Sequence, residues 1–166
     1  MRTLYLVRHA KSSWSDPSLD DFDRPLNKRG KRDAPFMAKL LRGMGVPVDY
    51  MLTSPANRAL TTARHFKSEY GLSDDRFEED RTLYHAYAEE VLRAVRNLDD
   101  AHQTVLVFGH NPTFTDLANR FAKDYLPNVP TCGIVRLESS AQHWSDFSEK
   151  NTQRRGFYYP KQFFSK

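Results

Sequence analysis

Cysteine is almost missing from this 166-residue chain. The one thiol, Cys132, excludes an internal disulfide and any zinc site built on paired cysteines, and it reads as a small buried hydrophobe before an apolar strand. No apolar run reaches the 18 residues or so that a membrane-spanning helix needs. The opening MRTLYLVRHAK has too short an apolar stretch, and no small-residue cleavage site, for a secretory signal, so the cytoplasm is the expected compartment. Neither a GxxxxGKS/T loop nor a GxGxxG turn follows any apolar run, which argues against a nucleotide-binding module. HExxH is also missing, and no metal or other cofactor is expected. Charge of one sign scarcely predominates. A formal net charge of +4 spread along the chain does not require a nucleic-acid partner, and the densest basic run, LNKRGKRD (26–33), reads as a solvated helix face. Repeats and low-complexity segments are missing as well. What is left, 39% hydrophobic and 28% charged residues, is an ordinary globular composition, with one domain expected over 1–166.

The most informative stretch is LYLVRHAKSSW (4–14). Leu4, Tyr5, Leu6 and Val7 form an unalternated apolar run, as in a strand covered on both faces. At its end come Arg8, His9 and Lys11. Open α/β sheets bind ligands at that end of their strands. Arginine offers a planar fork of donors to phosphate oxygens, and neutral imidazole is a nucleophile near neutral pH.

A Ser-, Asp- and Pro-rich loop follows, after which Asn27 can cap a helix carrying Phe36, Met37, Leu40 and Leu41 at helical spacing until Gly43 and Gly45; Pro35 lies inside it. VDYMLTSP (48–55) reads as a second strand. Ser54 as N-cap and Pro55 at the first helical position then open ANRALTTARHFKSEY, whose face runs through Leu60, Ala63 and Phe66. Arg58 lies in its first turn, within reach of the mouth of the first strand. RFEEDRTLYHA holds a short third strand, and AEEVLRAVRNLD an amphipathic helix through Val91, Leu92, Val95 and Leu98. QTVLVFGHNPTF repeats the opening design: an apolar strand at 104–108, Gly109 as a tight turn, His110 at the mouth, and Asn111-Pro112 starting a helix. CGIVRLES and RGFYYP supply later strands, the second at an edge, and KQFFSK (161–166) a tail. His65, His102 and His143 lack neighbouring arginines and read as structural or surface groups. The alternation of strands and helices predicts a three-layer α/β/α sandwich with a mostly parallel central sheet.

RHA (8–10), SPANRALTTA (54–63) and GHNP (109–112) resemble, in order, the three blocks of the histidine phosphatase superfamily, which includes phosphoglycerate mutases and acid phosphatases. RHAKS, DRPLNKRG, LTSPANRALTTA, LYHA and GHNP are most similar to its small branch of SixA-like phosphohistidine phosphatases. The resemblance implies a phosphoglycerate mutase-like fold, phosphorylation of His9, phosphoryl binding by Arg8 and Arg58, and a pocket completed by His110. Arg24, in the DRPL block, is a further candidate phosphate ligand. One departure stands out: Ala10 replaces the glycine that follows the RH pair in larger members, and no acid is marked as proton donor. Glu89, His85 and Asp80 are the nearest candidates. A phosphohistidine leaving group demands less proton donation than an alkoxide, so the expected activity is metal-independent dephosphorylation of phosphohistidine in a protein partner. The alternatives are a small-molecule phosphomonoesterase and a non-catalytic phosphate-binding signalling module.

Overall fold

A computed structural model describes residues 1–164. Six strands form one sheet in the order β3-β2-β4-β1-β5-β6. Strands β1 (Arg2–Arg8), β2 (Tyr50–Thr53), β3 (Phe77–Glu79) and β4 (Thr104–Gly109) run parallel, while β5 (Ile134–Ser139) and β6 (Thr152–Tyr158) continue the sheet antiparallel, with β6 at the edge. The parallel strands end together, so whatever follows β1 and β4 meets at one edge of the sheet.

The pleat sorts the apolar runs into two cores. Leu4 and Leu6 of β1 join Val105 and Val107 of β4 on one face, under α3 (Ala88–Arg96) and α4 (Thr113–Arg120), through Val91, Leu92, Val95, Phe114 and Leu117. Tyr5 and Val7 join Leu106 and Phe108 on the other, under α1 (Lys28–Gly43) and α2 (Asn57–Tyr70), through Met37, Leu41, Ala63 and Phe66. Both faces of β1 and β4 are therefore dry, which is why their sequences do not alternate. The expected three-layer sandwich with a mostly parallel sheet is the fold found.

Asn27 caps α1 as expected, its Oδ1 accepting from Gly30 N at 2.9 Å, and α1 runs on through Pro35. Several local expectations need correction. The second strand is shorter than 48–55, and α2 starts at Asn57 rather than Pro55, because Ala56 takes a non-helical ψ of 137°, although the Ser54 hydroxyl, which also pairs with His110, accepts from Ala56 N at 3.3 Å. Leu60 stays partly exposed, and the buried face of α2 runs instead through Arg58, Ala59, Thr62, Ala63 and Phe66. Gly109 is the last residue of β4 rather than a tight turn; a Cβ there would lie 2.7 Å from the Phe114 ring, so close packing demands the glycine. The chain after β6 is less of a tail than expected: Pro160–Gln162 form a 3-10 turn, and the Phe164 ring packs 4.6 Å from that of Phe36. The last two residues of KQFFSK lie outside the described residues.

Candidate active site

At the shared mouth of β1 and β4 the rings of His9 and His110 stand 5.3 Å apart, centroid to centroid. The backbone around His9 is pinned from three sides. His9 N donates to Gly109 O at 3.0 Å, and Cys132 N donates to both Arg8 O and His9 O, at 3.0 and 2.9 Å. Cys132 adopts a left-handed φ of 60°, a conformation the sequence did not signal. From α2, Thr62 Oγ1 accepts from Ala10 N at 3.0 Å and donates to Arg58 O at 2.7 Å, tying the loop after β1 to the helix that carries Arg58. The first turn of α1 presses onto the same loop: a Cβ on Gly30 would fall 2.2 Å from Lys11 O, so only glycine permits this approach.

The two imidazoles are tied differently. Nδ1 of His9 lies 2.8 Å from Ala10 O. A carbonyl can only accept, so the proton sits on Nδ1 and Nε2 keeps its lone pair. Burial, with smaller pushes from His110, Arg58 and Arg8, moves this ring from 6.5 down to about 3 against the opposing bond to Ala10, and it is neutral at pH 7. Nε2 of His110 pairs with Ser54 Oγ at 2.8 Å, while its buried Nδ1 has no partner among the described residues. Burial, then the charge of Arg58, also lowers His110 to about 3.

Arg8 donates from Nη1 to Val129 O at 2.9 Å, but its buried Nε has no partner among the described residues. Burial, and after it the nearby Arg58 charge, lower its pKa. Such unpaired buried donors are what a bound anion would satisfy. Arg58 gives two of its five donors to Asp21, from Nη1 to the backbone O at 2.7 Å and from Nη2 to Oδ2 at 3.0 Å.

Asp21 and Tyr84 were not anticipated. Asp21 Oδ2 also accepts from the Tyr84 hydroxyl at 2.8 Å, and the Tyr84 ring stands edge-on to His110 at 5.7 Å. Burial opposes ionisation of Asp21, but the Tyr84 hydroxyl and Arg58 outweigh it and hold the carboxyl at about 2. The 3-10 turn Asp21–Asp23 thereby links the long loop after β1 to the site. Arg24 is buried with all three guanidinium nitrogens engaged, on Ser13 O, Asp21 Oδ1 and Ser12 Oγ; it adjoins the cluster through Asp21. Of the proton-donor candidates, the His85 ring lies 3.9 Å from that of Tyr84, centroid to centroid and tilted by 37°, whereas Glu89 is bound to Arg120 at 2.6 Å and Asp80 caps a 3-10 turn at Thr82 N. Among the described residues no group of three or more His, Cys, Asp or Glu is placed to hold a metal ion. No helix among them is long and apolar enough to cross a membrane.

A parallel sheet that brings two neutral imidazoles and two guanidinium groups to one mouth is the equipment of a phosphoryl-transfer enzyme working through histidine. The chain belongs to the histidine phosphatase superfamily: the model of its branch 1 matches residues 4–83, and an uncharacterized protein of Mycobacterium tuberculosis is 33% identical over 165 residues, covering 93% of this chain and 100% of that one. Within the superfamily its likeness is to the SixA branch. A protein assigned as the phosphohistidine phosphatase SixA of Agrobacterium tumefaciens superposes with a TM-score of 0.80 at 27% identity, over 96% of this chain and 98% of that one. The protein histidine phosphatase SixA solved with tungstate shares the fold, with a TM-score of 0.78 at 21% identity over 93% and 95% of the two chains. Membership makes this protein an enzyme of the phosphatase and mutase class.

Proposed function

We propose that this enzyme removes phosphoryl groups from phosphohistidine in a protein, through a covalent intermediate on His9, without a metal ion. The observation that carries the reading is the Nδ1 contact of His9 to Ala10 O, which leaves a neutral ring with its lone pair on Nε2 beside Arg8 and Arg58. Nε2 attacks phosphorus in line; the new N–P bond forms as the bond to the leaving nitrogen breaks, and its electron pair stays on the leaving imidazole. Water then attacks the phosphoenzyme, releasing inorganic phosphate and restoring His9. Arg8 and Arg58, with His110, are assigned to the equatorial oxygens, where fixed cations and N–H groups stabilise the charge of the transition state. Arg24 is assigned a supporting part, holding Asp21, which in turn orients Arg58.

A leaving imidazole needs little proton donation, whereas an alkoxide does, an effect of about 10²–10⁴ in rate. The kcat/KM values should therefore fall from phosphohistidine and phosphoramidate to aryl phosphate and then alkyl phosphate. His85→Gln should slow alkyl phosphates and spare phosphohistidine, because His85 stands by the Tyr84–His110 pair; Glu89→Gln should spare both, since Glu89 is held by Arg120. Equal rates on sugar phosphate and phosphohistidine would shift the reading to a small-molecule phosphomonoesterase. Activity should survive EDTA; loss restored by a divalent ion would refute metal independence.

A further inference from the structure

Next to the pocket, on the α1 side, lies a groove of about 720 Å³ that shares Arg8 with it. Its lining carries Arg8, Lys11, Arg29, Arg32 and Lys161 against a single carboxylate, Asp33. Asp33 is buried and answers Arg32 at 2.8 Å and, more distantly, Arg29 at 4.0 Å. Among the described residues no carboxylate pairs with Arg8, Lys11 or Lys161. The far wall is built: Arg32 lies 4.0 Å over the Phe164 ring, which packs on Phe36. A groove with so many cations against one anion attracts negative charge over about 8–10 Å at moderate salt.

A second observation concerns the rim. The exposed Trp and Tyr side chains among the described residues are Trp14, Tyr87 and Tyr125, with 70%, 79% and 79% of their surface in solvent. Trp14 follows β1, Tyr87 follows β3, and Tyr125 lies between α4 and β5, whose first residue Ile134 is paired with Val7 near the end of β1. All three thus stand at the sheet edge that holds His9 and His110. Tyr125 lines a further cavity with Arg8 and Asn111. Trp14 is braced by the Arg24 guanidinium 3.3 Å over its ring. Aromatic side chains of this kind are enriched where proteins meet, because they bury large area at small entropic cost. A small phosphate ester would fill the pocket and leave this rim bare.

We infer that the basic groove and the aromatic rim form a docking surface for an acidic segment of a protein substrate, which runs from the reacting phosphoryl group along Lys11, Arg29 and Lys161. This rests on the phosphatase reading above and adds a specificity determinant outside the pocket. The test uses four peptides of one length, carrying phosphohistidine or phosphoserine between acidic or between basic flanks. The ratio of kcat/KM for acidic over basic flanks reports the groove; the ratio for phosphohistidine over phosphoserine reports the reaction. A flank ratio above about tenfold in the wild-type enzyme, shrinking several-fold as salt rises from low to physiological, is expected. Lys161→Glu combined with Arg29→Gln should bring the flank ratio close to one and leave turnover of para-nitrophenyl phosphate unchanged. Lys161→Glu alone, at an exposed site, should reduce the ratio in the same direction without risk to the Asp33 pairing. A flank ratio near one in the wild type, or a ratio unmoved by both variants, overturns the groove. Preference for phosphoserine overturns the phosphohistidine reading instead, and leaves the flank ratio to decide the groove.

Discussion

Strands β1 and β4 are neighbours, and each ends in a small or cationic residue and then a histidine, Arg8-His9 in one and Gly109-His110 in the other. The likeness stops at the ring nitrogens. His9 is tied through Nδ1 to a carbonyl, which allows one tautomer only, with the lone pair on Nε2. His110 is tied through Nε2 to a hydroxyl, which can donate or accept, and its Nδ1 is left without a partner among the described residues. The first arrangement suits a nucleophile. The second suits a group whose remaining N–H is offered to an oxygen when an anion arrives. Two rings on equivalent strand ends thus acquire different chemistry from the atom that happens to face each one.

Replacing the rings should break the comparison most severely. His9→Ala should lower kcat/KM by about 10⁴-fold or more, because no other group supplies the covalent step. His110→Ala should cost about 10²–10³-fold, the range for loss of one transition-state donor, and should still permit labelling of the enzyme. Equal losses in the two variants would put both rings in one role. Both variants should fold, since each histidine follows the last residue of its strand and the apolar runs of β1 and β4 are untouched; circular dichroism of the variants checks this.

The fastenings should matter less than the rings. Ser54→Ala frees Nε2 of His110, and Thr62→Ala releases the Ala10 amide; each should lower kcat/KM by about tenfold and stability by about 1–3 kcal/mol, since both side chains are buried and hydrogen-bonded. A loss confined to stability in either variant would show that the contact supports the fold and leaves the ring's chemistry alone.

The strand ends were legible because a buried strand has a plain signature, an apolar run that stops abruptly at charged residues, and here two such runs stop at histidine. Arg58 was legible from its place in the first turn after a strand. Asp21, Tyr84 and Thr62 were not picked out, and Ser54 only as a helix cap, because their places in the site arise from contacts across 37 to 63 residues of chain that no local pattern encodes. Faint local signals existed: Asp21 stands three residues before Arg24, and Thr62 four after Arg58 on one helix face. The start of α2 was placed two residues early: the Ser54 hydroxyl does accept from Ala56 N as a Ser-Pro opener should, but Ala56 has a ψ of 137° and the regular helix begins only at Asn57. Arg24 shows the converse. Its motif was visible, yet its guanidinium is occupied by Ser12, Ser13 and Asp21.

Acid should affect the two rings alike, which sharpens the comparison by separating protonation from role. Both have pKa values lowered to about 3, so neither should titrate between pH 5 and 8 when followed by the NMR shifts of the ring protons in the free enzyme. An unfolded histidine titrates near 6.5. The stability these buried neutral rings confer is therefore complete above pH 6.5 and is lost progressively as pH falls toward 3. A midpoint near 6.5 for His9 in the folded enzyme would contradict its burial. The smallest effect is expected at Asp21. Asp21→Asn keeps the shape but weakens the hold on Arg58 and Arg24, and should raise KM a few-fold with little change in kcat.

The most direct test of the assignment of roles is to trap the phosphoenzyme from labelled phosphoramidate and locate the label in the wild-type, His9→Ala and His110→Ala proteins. The account predicts an acid-labile, alkali-stable label on His9 in the wild type and in His110→Ala, and none in His9→Ala. Labelling of His9→Ala at the wild-type level, or a label that survives acid, would contradict it.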